Sequence, residues 1–184
     1  ESAARCTPVG LTAPCGRTTD NEFTSLGVAL RQKFDFNQIN SQLIVGLDAE
    51  TSPNDQKEDN IQIAKTDGKF VSFTRTSRRR DYQVDLTNLA PYLQWQWAVH
   101  PAVLLTAGGR YDVINYDYQN NLTPSATTGA PSEKREFKRF SPKISALWKV
   151  FPTSQLYANF SQGFTPPEIS GLYGTLDTPN LQSS

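Results

Sequence analysis

The strong basic cluster of this 184-residue chain is Arg75, Arg78, Arg79 and Arg80. A guanidinium is always charged and offers a planar fork of donors that fits carboxylate and phosphate oxygens, so the chemistry this run suits is anion capture. Its plainer alternative is a solvated loop end. Tyr116 and Tyr118 offer aromatic contacts at a rim, or else simply an aromatic girdle at an interface. Catalysis has little to work with: His100 is the only histidine, and no nucleophile, base and orienting group can be assembled into a triad. No enzyme is expected, and no cofactor or protein metal ligands either. The glycines of Gly108-Gly109-Arg110-Tyr111-Asp112 sit inside a strand pattern, which excludes a phosphate-binding loop before a helix. Arg110 and Asp112 fall on one face there and are expected to form a structural ion pair.

Two cysteines, Cys6 and Cys15, bracket the segment CTPVGLTAPC. Either they are unrelated thiols, or they close a small disulfide loop in an oxidising compartment. The second reading is preferred, and such a loop would contribute on the order of 2–3 kcal/mol to local order.

The elements that must carry these residues show best in Pro91–Asp112, PYLQWQWAVHPAVLLTAGGRYD. Leu93, Trp95 and Trp97 alternate with Tyr92, Gln94 and Gln96. After a turn at His100-Pro101, Val103, Leu105, Ala107, Gly109 and Tyr111 alternate with Leu104, Thr106, Gly108, Arg110 and Asp112. A period of two is the mark of a strand with two unlike faces. Aromatics near both ends of an apolar band, opposite a polar face, suit a transmembrane barrel hairpin. A soluble sandwich shows the same alternation with the polar face outward.

The rest of the chain repeats this pattern. Strands are expected over about 23–36, 42–51, 137–150 and 155–164, giving about six between residues 23 and 164. Short turns fall at 37–41, 98–102 and 151–154. Long loops are expected at 1–22, 52–81, 119–136 and 165–184, with a small hairpin around Thr66-Asp67-Gly68-Lys69 inside the second and one helical turn near Pro167–Leu172 in the last. Alternating short and long connections describe an up-and-down all-β antiparallel sheet that forms part of a large transmembrane barrel. Bulk properties agree. Eighteen Lys and Arg balance 18 Asp and Glu, so the charge gives no reason to expect nucleic acid. No apolar run is long enough for a transmembrane helix, a test that barrel strands escape. The chain contains no methionine, its ends complete no element, and it is read as a piece of something longer.

YLQWQW followed by LLTAGGRYD resembles the YxQDxW and LTxGxRYD hairpin of TonB-dependent outer-membrane receptors. FSPKISALWKVFPTSQLYANFSQGFTPPEISGLYG resembles their next segment, FSPKxGLxYKPxxxxxLYxxYSxGFRPPxxxELYG. The ordered set covers roughly residues 82–174; Trp95 stands where the family often has Asp, and Thr165 where Arg is common. The resemblance implies a barrel of about 22 strands plugged by an N-terminal domain that is absent here. It also implies a receptor in the bacterial outer membrane, surrounded by lipid and lipopolysaccharide. Such receptors import ferric siderophores or similar chelates, cobalamin or sugars, using energy passed on by TonB through the missing N-terminal region. On this reading the arginine run and the two tyrosines meet either lipopolysaccharide phosphates or an anionic iron chelate. The other reading of the residues is a soluble all-β module that binds carbohydrate.

Overall fold

Alternation of apolar and polar side chains carries nearly the whole chain into strands. A computed structural model describes residues 14–166 and 172–173. Seven strands, β1 (Cys15–Phe23), β2 (Leu26–Phe36), β3 (Ser41–Thr66), β4 (Lys69–His100), β5 (Val103–Asn120), β6 (Glu133–Phe151) and β7 (Ser154–Ser161), form one curled antiparallel sheet. Its order is β1-β3-β4-β5-β6-β7, with β2 on the same edge of β3 as β1. β1 covers one half of β3, from Cys15 opposite Gln62 to Phe23 opposite Asn54, and β2 covers the other, from Leu26 opposite Thr51 to Phe36 opposite Ser41. Together they make a single pass, broken at Thr24-Ser25. The break faces Pro53, which has no N–H to give a ladder; the Thr24 N–H instead donates to the Pro53 carbonyl at 3.3 Å. The hydroxyls of Ser25 and Ser52 both donate to Glu50 Oε1, at 2.7 and 2.9 Å.

Short turns lie along one edge, at Asn37–Asn40, Pro101-Ala102 and Pro152-Thr153. At the other edge β3 and β4 meet in the two-residue turn Asp67-Gly68, with φ of 52° and 75°. Positive φ at both central positions defines the type I′ hairpin turn that Asp-Gly favours, as the sequence led us to expect.

The expected loops are much shorter than foreseen. Residues 52–81 are almost entirely strand, since β3 runs to Thr66 and β4 starts at Lys69. β1 begins at Cys15, inside the first expected loop, and the loop expected at 119–136 shrinks to 121–132, where Ser125 and Gly129 form an isolated bridge. Charge was mistaken for irregularity: these arms keep their ladders while their charged side chains pair across strands.

The two faces explain why. Nearer the short turns, one face carries Leu26, Val28, Leu30, Phe34 and Phe36 of β2, Leu93, Trp95 and Trp97 of β4, and Ile144 and Trp148 of β6, all exposed. Leu30 is 61% exposed and Phe160 of β7 63%. A soluble module would pack such side chains against a second layer; the described residues form a single sheet that leaves this face bare. Trp95 and Trp97 stack with ring centroids 5.6 Å apart near the turns, and Tyr111 and Phe140 stand paired at the far end of the band. Over about nine to eleven residues the band matches the span of a tilted transmembrane strand. Beyond Leu89 and Val113 the faces exchange character. The apolar face continues as Asp85, Gln83 and Asp81 on β4 and as Asn115 and Asp117 on β5. The polar face, which carries Arg110 and Asp112 within the band, becomes Leu86, Val84 and Tyr82 on β4 and Ile114, Tyr116 and Tyr118 on β5.

Candidate functional site

Side chains on the second face line what the curl of the sheet encloses, so this inner wall is where a ligand would be met. Its lower part is polar. Arg110 donates from Nε to Asp112 Oδ1 at 2.8 Å and from Nη1 to Asp48 Oδ2. The Arg110–Asp112 pair expected from the sequence is therefore present, and Asp48, two strands away across β4, joins it. A cleft of about 370 Å³ opens beside this pair, lined by Asp48, Tyr92, Gln94, Arg110, Ser141 and Lys143 among others. The glycines next to Arg110 have local work. A Cβ at Gly108 would lie 2.7 Å from the Leu93 carbonyl oxygen, and one at Gly109 would lie 2.4 Å from the Phe140 ring. One lets β5 approach β4 closely and the other seats an aromatic ring.

Higher on the wall the surface turns aromatic. Tyr82, Val84, Ile114, Tyr116, Tyr118, Ala130, Leu172 and Tyr173 form a buried cluster against which Leu86, Phe137 and Phe164 pack. Tyr173 stacks on Tyr118 with centroids 4.2 Å apart and planes 1° from parallel, and its carbonyl accepts from the Ala130 N–H at 3.1 Å. The Arg135 guanidinium sits 5.9 Å from the centre of the Tyr173 ring. Burial pushes the Tyr173 phenol up to about 12, against the opposing pull of Arg135. Its hydroxyl is buried and makes no hydrogen bond. Tyr116 and Tyr118 were expected at a rim, as ligand contacts or as a lipid-facing girdle. They lie on the inner wall instead, 3% and 1% exposed beneath Leu172 and Tyr173. The girdle position is filled by Tyr111 and Phe140.

The arginine run belongs to β4, not to a loop, and strand alternation divides it. Arg75 and Arg78 pair across the sheet with Ile61 and Asp59, on the face turned away from the inner wall. Arg75 Nη2 donates to Asp20 Oδ2 at 2.9 Å and its Nε lies 3.6 Å from Asp59 Oδ2. Arg78 donates from Nε to Asp59 Oδ1 and from Nη1 to Asp81 Oδ2, the latter at 2.7 Å. Arg80 stands opposite Glu58 on the inner face, above Tyr82, whose hydroxyl donates to Gln56 Oε1. Arg79 occupies a bulge between these registers and reaches the same Glu58, donating from Nη1 to both carboxylate oxygens at 2.9 Å. Arg17 of β1 joins them, its Nε 3.5 Å from Glu58 Oε1. The sequence reading missed Arg17 because its segment was taken for a loop; alternation with Cys15 and Thr19 was the available signal.

Cys15 is fully buried and disulfide-bonded. Cys6, the only other cysteine in the chain, lies outside the described residues, as does most of the helical turn expected at Pro167–Leu172. Among the described residues no group of three or more His, Cys, Asp or Glu could hold a metal ion.

Comparison with known proteins adds to this geometry. The family described as TonB dependent receptor-like, beta-barrel, matches residues 7–184. A ferric aerobactin receptor of Klebsiella pneumoniae is 29% identical over 101 residues, which is 49% of this chain and 14% of that receptor. Among solved structures, the ferric citrate transporter FecA in its unliganded form superposes with a TM-score of 0.61 at 19% identity, over 84% of this chain and 22% of that one. The siderophore receptor PiuA from Acinetobacter baumannii gives 0.54 at 18% identity, over 82% of this chain and 24% of its own. Both structural likenesses establish the fold, and this chain spans less than a quarter of each protein compared.

Proposed function

The chain belongs to the TonB-dependent receptor-like β-barrel family, and we propose that the protein containing it imports a ferric siderophore or similar iron chelate across the bacterial outer membrane. The observation that carries this reading is the unlike pair of faces: an exposed apolar band suited to lipid on one side, and a polar-to-aromatic wall with charged groups on the other. Such a section of wall is what a ligand-conducting barrel needs and what a free-standing soluble sheet cannot keep in water. The relatives named above, by their titles a ferric aerobactin receptor, a ferric citrate transporter and a siderophore receptor, support an iron chelate as cargo. On this reading the protein is a receptor and carrier, and metal arrives already chelated. TonB supplies the energy for import. Lipid surrounds the band, and lipopolysaccharide meets the charged outer arms above it.

Growth settles the cargo. A strain lacking the full-length protein should grow poorly under iron limitation on at least one ferric siderophore and recover when the gene is restored. Normal growth on every iron source, with loss of cobalamin or sugar uptake, would overturn the iron assignment.

A further inference from the structure

The division of the arginine run leaves charge unbalanced on one face only. On the outer face, Arg75 and Arg78 share three carboxylates, Asp20, Asp59 and Asp81. On the inner face, Arg17, Arg79 and Arg80 share a single carboxylate, Glu58, which is 8% exposed. Among the described residues two positive charges of this group are thus uncompensated on the wall that faces the lumen, and none on the wall that faces outward. Donor use shows the same asymmetry. Arg79 donates from Nη1 to both oxygens of Glu58, but Arg80 Nε lies 3.7 Å from that carboxylate and is a buried donor without a hydrogen bond. Arg17 reaches Glu58 only at 3.5 Å, with its side chain 43% exposed. Guanidiniums in this state still hold most of their five donors for a planar oxyanion.

We infer that Arg17 and Arg80, organised around Glu58 above Tyr82, form an anion-receiving site on the inner wall for a carboxylate-bearing ferric chelate. This rests on the proposed function and adds the charge class of the cargo. Phosphates of lipopolysaccharide are the weaker occupant, because they lie outside the barrel, where the arginines are already neutralised. Tyr82, Tyr116 and Tyr118 lie below the site and, being buried, serve as its apolar floor rather than as first contacts. Partial burial lets such charge-assisted contacts count for more than on an open surface.

The test uses the intact receptor in detergent, with binding followed by quenching of intrinsic fluorescence. The probes are ferric citrate, which is anionic, and a cationic ferric trihydroxamate. Arg17→Gln and Arg80→Gln should each weaken ferric citrate binding by about tenfold. Arg75→Gln and Arg78→Gln should change it by less than about twofold, and the cationic probe should bind poorly throughout. Arg80→Lys, which keeps the charge but not the fork, should fall between, and heat-shifted mobility in gels reports whether each variant forms its barrel. Equal losses from inner and outer variants, or preference for the cationic probe, would overturn the anion site while leaving an iron receptor. Failure to bind either ferric probe would overturn both.

Discussion

Tyr173 carries a buried hydroxyl that finds no partner, inside a stack that holds its phenol near a pKa of about 12. A buried hydroxyl without a hydrogen bond costs about 1–3 kcal/mol, so removing it should help. Tyr173→Phe in the intact barrel is expected to leave the stack on Tyr118 in place and to stabilise it by up to about 1 kcal/mol, read from the temperature at which near-ultraviolet dichroism is lost. The titration has a definite sign. A phenol whose packed pKa is raised from 10.0 to about 12 prefers to stay neutral in the packed state. Its contribution is complete below pH 10 and disappears as pH rises through 12. Phenolate absorbance should therefore show a late step accompanied by release of the stack, and Tyr173→Phe should remove that residue's share. A first step at the ordinary tyrosine pH for every ring would show that the stack does not form.

For the strands, one test is whether outward side chains know their height. Leu93 lies within the apolar band and Asn115 lies beyond it on the same face, two positions past Val113. Leu93→Arg should cost about 2–4 kcal/mol of barrel stability, because a charge is driven into hydrocarbon. Asn115→Arg should cost less than about 1 kcal/mol, because that height is already wet and charged. Denaturant unfolding in lipid bilayers measures both, and equal costs would mean that the face exchange does not mark the membrane boundary. Alternation also explains which part of the arginine run is spent. A strand sends neighbours to opposite faces, so four arginines close in sequence divide between Asp59 on one face and Glu58 on the other, with the bulge at Arg79 adding one to the inner side.

Across the whole molecule, the sheet has two open edges among the described residues, β1 with β2 on one side and β7 on the other. Open edges carry unpaired N–H and C=O groups, and the band adds a wide apolar face. Prepared alone in water, the 184-residue chain should associate into large, β-rich particles that elute near the void volume in size-exclusion chromatography. A soluble monomer without detergent would refute the lipid-facing reading of the band. On the proposed function, neighbouring strands of the full barrel would cap both edges and lipid would cover the band.

The sequence by itself determined the antiparallel sheet, the short turns, the Asp67-Gly68 hairpin and the apolar band, because each rests on local geometry: a period of two, or a positive φ that few residues tolerate. It determined the ion pair of Arg110 with Asp112 for the same reason, two residues apart on one strand. Tertiary structure alone decided the length of β3 and β4. Beyond the apolar band the outer face turns polar and the inner face carries the aromatic cluster, so a strand there has the composition of a loop while keeping its ladder. The partners of Arg75, Arg78, Arg79 and Arg80 were equally hidden: Asp20, Asp59 and Glu58 arrive from other strands, in a register shifted by a bulge. The burial of Tyr116 and Tyr118 depends on Leu172 and Tyr173 folding back over the inner wall, a contact between distant parts of the chain that no spacing announces.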